Sequence, residues 1–142
     1  MTPLTVGASN QPGGFFANVG LAPLPSATPT VTPTPAPFFG NAPVPDPGKA
    51  VIVAKVRAVF GTYSDAALRI VACESGFNTN SYNTTAILGS HAEGIFQILY
   101  PSTWNGTPYA RFSPYDWNYN IPAAYSIFKN DGFTWREWQC QP

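Results

Sequence analysis

The stretch "VACESGFNTNSYN", residues 71–83, places the carboxylate of Glu74 directly after a cysteine and directly before Ser-Gly. Apolar Ala67 and Val71 precede it at helical spacing, and Gly76 is typical of a helix end. The negative end of a helix dipole disfavours a carboxylate there, and apolar surroundings disfavour it further. Glu74 is therefore either a solvated residue at a helix end or an acid that stays protonated for proton donation.

Apolar residues recur at helical spacing on both sides of this stretch. Residues 51–60 predict a first helix that ends at Gly61, and Ser64 is a good N-cap for the second helix. Residues 77–90 are rich in Asn, Thr, Ser and Gly, which predicts a loop or a short hairpin. A last helix is predicted to end at Gly132. The sequence therefore predicts a mainly α domain of the α+β class, with a small loop or hairpin region.

Composition excludes several classes of function. The chain has 142 residues and a net charge of zero, so it lacks the basic surface that binding to nucleic acid phosphates requires. It has no run of about 18 apolar residues, so we expect no membrane span. The N-terminus has neither a basic region nor a continuous apolar core, and we expect no secretory signal peptide. One histidine and two cysteines give no metal-ligand spacing, so neither a metal nor another cofactor is expected.

The chain divides near Pro47 into a Pro/Thr-rich tail, residues 1–47, and a domain, residues 48–142. No charged residue precedes Asp46, and eleven of the sixteen prolines fall in the tail. Residues 23–37 form a Thr/Pro spacer, a composition that favours extended polyproline II and cannot build a core.

Two similar segments flank the spacer in this tail. Each begins with two phenylalanines, reads FF-x-N and continues to A-P-x-P; the four phenylalanines are Phe15, Phe16, Phe38 and Phe39. Exposed phenylalanine pairs are costly in water, which favours docking segments for a virion or cell-surface protein. Chance repetition in a low-complexity region is the alternative.

The two cysteines, Cys73 and Cys140, lie far apart in the sequence. We predict that they form a disulfide that ties the C-terminus to the helix of Glu74, and two buried free thiols are the alternative. In the chain-entropy model a loop of this length contributes about 4 kcal/mol to stability. A disulfide would indicate an oxidising destination.

Three segments of the domain resemble a known superfamily when they are taken in order. They are "CESGFNTNSYN" (residues 73–83), "GSHAEGIFQILYPSTW" (residues 89–104) and "SPYDWNYNIPAAYSIFKNDGFTW" (residues 113–135). Together they resemble the lysozyme-like superfamily, and most of all the soluble lytic transglycosylase-like domains of bacteria and phages. The resemblance covers residues 50–140. It implies a lysozyme-like α+β fold with a small β region beside a cleft.

The resemblance also implies roles for individual residues. Glu74 would be the general acid/base of glycan cleavage, Ser75 would fix its orientation, and the amide of Gln97 would contact the glycan or Glu74. The other residues implied to bind the glycan are Asn83 and Ser90 at the cleft, Asn120 and Tyr125 on the last helix, and Trp104 and Tyr109 as sugar platforms. Core packing is the alternative for Trp104, and pairing with backbone groups is the alternative for Gln97.

A second carboxylate is the open question. C-type lysozymes, which "ESGFNTNSYN" and "GIFQI" also resemble, place an aspartate two residues before the glycine of the second motif, where this chain has Ala92. Glu93 is one residue further on, on the opposite face of an extended segment, unless the register slips by one residue. Asp116 is the other candidate, with a structural role near Asn118 as the alternative.

The resemblance implies an enzyme that cleaves the β-1,4 glycosidic bond between MurNAc and GlcNAc in peptidoglycan. A retaining glycosidase normally uses two carboxylates, whereas a lytic transglycosylase can act with one. Ala92 therefore favours a lytic transglycosylase in which Glu74 acts alone. The alternatives are a lysozyme-type hydrolase with Glu93 or Asp116 as its second acid, and a non-catalytic glycan-binding or structural component of a virion.

The tail suggests where such a domain would act. A charge-free anchor without a signal peptide suits a virion-associated lysin of a bacteriophage, and a bacterial wall-remodelling enzyme is the alternative. Either would work outside the cell, on the bacterial wall.

Overall fold

The computed structural model describes residues 44–142 of the chain. The predicted docking segments, with Phe15, Phe16, Phe38 and Phe39, lie outside the described residues. No helix within residues 44–142 combines the length and the apolar character needed to cross a membrane.

Three α-helices and one small antiparallel sheet make up the described chain. The helices are α1 (Lys49–Phe60), α2 (Ser64–Glu74) and α3 (Trp117–Asn130), the strands are β1 (His91–Glu93) and β2 (Ile98–Tyr100), and short 3-10 turns lie at Gly61–Tyr63 and Trp104–Gly106. The prediction of a mainly helical domain with a small hairpin is confirmed at this level.

The junction between α1 and α2 corrects one prediction and confirms another. Gly61 ends α1 as expected, with a φ of 54° that glycine adopts readily, and its N–H donates to the carbonyl of Arg57. Ser64 was expected to cap α2, but it is the first residue of that helix and its side chain makes no capping bond. The reason is that the 3-10 turn at Gly61–Tyr63 leads directly into α2. Ser64 already has helical backbone angles, φ −62° and ψ −35°, and its N–H donates to the carbonyl of Gly61, so it lies inside the helix and not at a cap position.

One apolar core joins all three helices to the hairpin. Phe60 at the end of α1 stacks on Phe96 of the hairpin turn, with ring centroids 5.4 Å apart, and meets Phe128 of α3 at 6.1 Å. The buried residues that the helices contribute are Ile52, Val56 and Phe60 from α1, Ala67, Ile70 and Val71 from α2, and Ile121, Ala123, Ala124 and Phe128 from α3. Burying each large apolar side chain contributes about 2 kcal/mol. Because Ile70 and Val71 belong to this core, the last turns of α2, which carry Glu74, are held against it.

The C-terminal segment, residues 131–142, folds back onto this core. Trp138 is buried, and its indole N–H donates to the carbonyl of Phe96 at 2.9 Å. Two residues later, Cys140 forms a disulfide with Cys73 of α2, which confirms the predicted pairing. The C-terminal segment is thereby placed beside the end of α2.

The hairpin turn is tied to α3 through Asn120. The side-chain oxygen of Asn120 accepts the N–H of Phe96 at 3.0 Å, and its NH₂ group donates to the carbonyl of Pro114 at 2.7 Å. Gly94 makes this approach possible, because a Cβ there would lie 2.1 Å from the same Pro114 oxygen. Its φ of 76° also favours glycine.

Candidate active site

A groove opens beside the C-terminal end of α2, and we call it the Glu74 groove. Its lining residues are Glu74, Asn83, Ile87, Ala92, Gln97, Leu99, Glu137, Trp138 and Gln139. They come from α2, from the loop of residues 77–90 (the polar loop), from the hairpin and from the C-terminal segment. Three residues that the sequence singled out, Glu74, Asn83 and Gln97, therefore meet in one place.

Glu74 is the last residue of α2 and is half-buried. Its Oε1 accepts the backbone N–H of Cys140 at 2.9 Å. The residue before it, Cys73, is bonded covalently to the same Cys140. Cys140 is thus bonded to two consecutive residues of α2, to Cys73 by the disulfide and to Glu74 by the hydrogen bond. The two bonds limit the orientations that the carboxyl group of Glu74 can adopt.

Gln97 is the last residue of the hairpin turn, and its backbone lies in the left-handed region. Its φ is 50°, in the left-handed region that costs a residue with a side chain about 1–3 kcal/mol. Its Nε2 donates to the carbonyls of Ser81 at 3.1 Å and Gly94 at 2.9 Å. The NH₂ group therefore satisfies backbone carbonyls, one of the two roles considered from the sequence. The side chain also lines the groove, where Oε1 is the atom that can accept a hydrogen bond from a ligand.

Asn83 joins the polar loop to the hairpin. Its backbone N–H donates to the carbonyl of Ala92 at 2.9 Å, and its own carbonyl lies 3.0 Å from Nδ1 of His91. Its side-chain Oδ1 accepts the N–H of Thr85 at 2.9 Å. The loop is thereby held as a wall of the groove, and the NH₂ group of Asn83 is the part of its side chain suited to a sugar hydroxyl.

The hairpin register decides which side chain of β1 faces the groove. Ala92 pairs with Leu99, and both line the groove; Glu93 pairs with Ile98, on the other face of the two strands. The alternation expected for an extended segment is present, without a slip of one residue. Ala92, where the resemblance to C-type lysozymes implied that those enzymes have an aspartate, therefore faces the groove.

Glu93 is buried on the far side of β1, with 4% of its surface exposed. Burial raises the pKa of its carboxyl group, while a hydrogen bond with the Tyr115 side chain and the nearby His91 oppose the rise. Burial, together with Glu93, raises the pKa of the Tyr115 hydroxyl to about 12. Glu93 does not line the groove, so this geometry does not support it as a second acid.

Asp116 has the structural role that was its alternative. It is the N-cap of α3, and its Oδ1 accepts the backbone N–H of Asn118 at 2.9 Å and the side-chain NH₂ of the same residue at 3.1 Å. This carboxylate is occupied at the start of a helix and is not among the residues that line the groove.

Two residues expected to contact the glycan are buried in the core, which corrects those expectations. Trp104 has no exposed surface, and its indole N–H donates to the carbonyl of Phe112, so its ring is closed to a sugar. Asn120 is also fully buried, and both ends of its amide are satisfied by backbone groups, the N–H of Phe96 and the carbonyl of Pro114. It supports the turn that carries Gln97.

The remaining expected residues are not among those that line the groove. The hydroxyl of Ser75 donates to the carbonyl of Val71 at 3.2 Å rather than to Glu74. Ser90 is buried, and its hydroxyl accepts the N–H of Ser102. Tyr109 and Tyr125 are half-buried against aromatic neighbours, Tyr119 at 6.2 Å and Phe60 at 5.2 Å.

Glu137, Trp138 and Gln139 were not expected from the sequence. They line the groove because the C-terminal segment returns to α2. A signal was present: the predicted disulfide places the residues just before Cys140 close to those around Cys73. Glu137 lies three residues before Cys140, within reach of that signal.

Comparisons of the chain with models of protein families, with curated proteins and with solved structures each give no match. The residues of the Glu74 groove, together with the motifs in the sequence, are therefore the basis for a functional inference.

Proposed function

We propose that residues 48–142 cleave the β-1,4 bond between MurNAc and GlcNAc in peptidoglycan, with Glu74 as the acid. The observation that carries this proposal is the position of Glu74: a half-buried carboxyl group at the end of α2, oriented by the N–H of Cys140, in a groove with Asn83 and Gln97. A carboxyl group that is held in one orientation and lines a groove can protonate a glycosidic oxygen of a bound glycan, and the amide side chains in the same groove can bind its hydroxyl groups. The resemblance to lysozyme-like domains supports the same assignment. The helical fold with one small hairpin is compatible with it.

The favoured reaction is that of a lytic transglycosylase. Glu74 gives its proton to the glycosidic oxygen, and the bond from that oxygen to the sugar C1 breaks. The 2-acetamido group of the substrate helps to stabilise the cation-like C1. The Glu74 carboxylate then takes the proton of the C6 hydroxyl, whose oxygen bonds to C1 and closes a 1,6-anhydro ring.

The choice of this reaction over hydrolysis rests on where the expected second acids lie. Ala92 occupies the groove-facing position of β1, Glu93 is buried on the other face, and Asp116 caps α3. Neither candidate from the sequence supplies the partner carboxylate that a retaining hydrolase normally needs. Glu74 alone can complete the transglycosylase cycle.

Digestion of purified peptidoglycan followed by mass spectrometry tests the proposal. The expected products are muropeptides with 1,6-anhydro-muramic ends, accompanied by clearing of a turbid peptidoglycan suspension. Reducing ends alone would indicate a lysozyme-type hydrolase. A folded protein that binds peptidoglycan but releases no muropeptide would instead be a glycan-binding module.

We further propose that the protein acts outside the cell, as a virion-associated lysin. The uncharged Pro-rich tail with its paired phenylalanine segments supports this setting, as does the disulfide between Cys73 and Cys140, since disulfides persist in oxidising compartments. Phage particles purified from the host should contain the protein. Replacing Phe15, Phe16, Phe38 and Phe39 together by serine should release it from them.

A further inference from the structure

The acidic residues of the chain can all be located, because the seven of them lie within residues 44–142. Five are placed away from the Glu74 groove. Asp46 accepts the N–H of Gly48, Asp65 is exposed in the first turn of α2, Glu93 is buried behind β1, Asp116 caps α3, and Asp131 is paired with Arg136. Glu74 and Glu137 remain, and they line the same groove.

Glu137 combines a fixed backbone with an uncommitted side chain. The next residue, Trp138, is buried, and the N–H of Trp138 donates to the carbonyl of Trp135 at 3.0 Å, which closes a turn around Glu137. Three residues on, Cys140 is bonded to Cys73. Within residues 44–142 the exposed carboxylate of Glu137 has neither a hydrogen bond nor an ion pair. A carboxylate exposed in this way is hydrated.

The space beside the two carboxylates suits water. The groove has a volume of about 60 Å³ in which the centre of a water molecule fits, and roughly 10–15 Å³ of such space holds one water. Glu137 also lines two neighbouring pockets, one with Gln97 and Thr103 and one of about 270 Å³ at the end of α3. Its side chain is exposed and borders all three spaces, so water can reach its carboxylate.

We propose that Glu137 is a second catalytic carboxylate, the general base that activates water for attack on the sugar. The proposal rests on the proposed function of Glu74 and adds a second fate for the same intermediate. Glu74 protonates the glycosidic oxygen, and the bond to C1 breaks. A water oxygen then bonds to C1 while one of its protons passes to the Glu137 carboxylate. The product has a reducing end and one water has been added across the bond. Exchange with solvent then returns a proton to Glu74 and removes one from Glu137.

Water and the C6 hydroxyl then compete for the same C1 atom. Attack by the C6 hydroxyl gives the anhydro end and needs only Glu74, whereas attack by water needs a base to accept its proton. The ratio of reducing to anhydro ends therefore reports on Glu137. A general base typically accelerates its step by about 10²–10⁴-fold, so loss of the base should change this ratio strongly.

The experiment compares the full chain with E137Q, using purified peptidoglycan and mass spectrometry of the muropeptides. The wild-type protein should release both kinds of end, and E137Q should lower the ratio of reducing to anhydro ends at least about tenfold. The matched control is D65N, which removes an exposed acid from the start of α2, away from the groove, and should leave the ratio unchanged. Thermal unfolding of all three proteins verifies that they are folded.

The contrary outcomes are distinct. If E137Q keeps the wild-type ratio, or if the wild-type protein releases anhydro ends only, Glu137 is not the base, while the role of Glu74 stands. If the folded wild-type protein cleaves no peptidoglycan at all, both proposals fail.

Discussion

The backbone N–H of Cys140 donates a 2.9 Å hydrogen bond to Oε1 of Glu74, although the two residues are 66 positions apart in the chain. The same Cys140 is bonded to Cys73, the neighbour of that acid. The buried Trp138 anchors the segment to the hairpin turn through the carbonyl of Phe96. The last residues of the chain therefore orient the proposed acid, as well as closing the domain.

Removal of the disulfide should affect both stability and rate. We expect the double variant Cys73→Ala/Cys140→Ala to lose about 4 kcal/mol of unfolding free energy. Its kcat for muropeptide release should fall more than its KM changes, because the hydrogen bond to Glu74 loosens with the segment. Urea unfolding and initial rates, measured where the variant is folded, verify this. Treatment of the wild-type protein with a reducing agent should lower its rate in the same way. A folded double variant with an unchanged kcat would show that the disulfide does not contribute to the orientation of Glu74.

The strained backbone of Gln97 predicts an inverted order of stability. A protein with alanine at an ordered position is normally more stable than one with glycine there, because glycine loses more backbone entropy on folding. The φ of 50° at this position reverses that order, since glycine adopts it without strain. We expect Gln97→Gly to be about 1 kcal/mol more stable than Gln97→Ala. Both variants lose the bonds to Ser81 and Gly94, so both should be less stable than the wild-type protein and slower in cleavage. Chemical denaturation of the pair decides the order, and a more stable alanine variant would contradict the strain.

Asn120 should matter for stability and not for chemistry. Asn120→Ala leaves the N–H of Phe96 and the carbonyl of Pro114 buried without this partner. A loss of about 2–4 kcal/mol is expected, since each unsatisfied buried group costs about 1–3 kcal/mol. The cleavage rate per folded molecule, measured well below the unfolding midpoint, should stay within a few-fold of wild type. A stable but inactive variant would return Asn120 to the sugar-binding role inferred from the resemblance.

Glu93 predicts a dependence of stability on pH. Burial raises the pKa of its carboxyl group above the ordinary 4.5, against the opposing contributions of Tyr115 and His91. The folded protein thus binds this proton more tightly than the unfolded chain. The resulting stabilisation is complete below pH 4.5 and is lost as the pH rises through the raised pKa.

Glu93→Gln does not titrate at this position and provides the comparison. The Tm of the wild-type protein minus that of Glu93→Gln should decrease as the pH rises from about 4 to 7. Calorimetry at a series of pH values measures this difference. A difference that grows with pH would show that the charged form of Glu93 is the one that the fold prefers.

The helices and the position of Glu74 at the end of α2 could be predicted because their signals are local. Apolar residues at helical spacing predicted the helices, Gly61 marked the end of α1, and Glu74 preceded an obvious stop. The exception is Ser64, whose side chain is typical of an N-cap. The 3-10 turn before it places Ser64 inside the helix instead. Local patterns predict an element well, but they do not predict how one element leads into the next.

The contents of the groove were harder to predict, since they depend on contacts between distant segments. Trp104 and Asn120 have side chains that suit sugars, yet the core uses both. Conversely, Glu137 lies in an aromatic stretch with no motif of its own, and the return of the chain to α2 brings it to the site. Amide and indole groups serve a core as well as a ligand, so residue type alone could not separate the two roles.

The replacement of Glu74 by glutamine tests the central claim most directly, because it keeps the shape of the side chain and removes the proton. The Glu74→Gln protein should fold with a Tm close to that of the wild-type protein, since its side-chain oxygen can still accept the N–H of Cys140. Its rate of muropeptide release from purified peptidoglycan should fall by at least about 10²-fold, while the control Asp65→Asn keeps the wild-type rate. Release by Glu74→Gln at the wild-type rate would contradict the assignment of Glu74 as the catalytic acid.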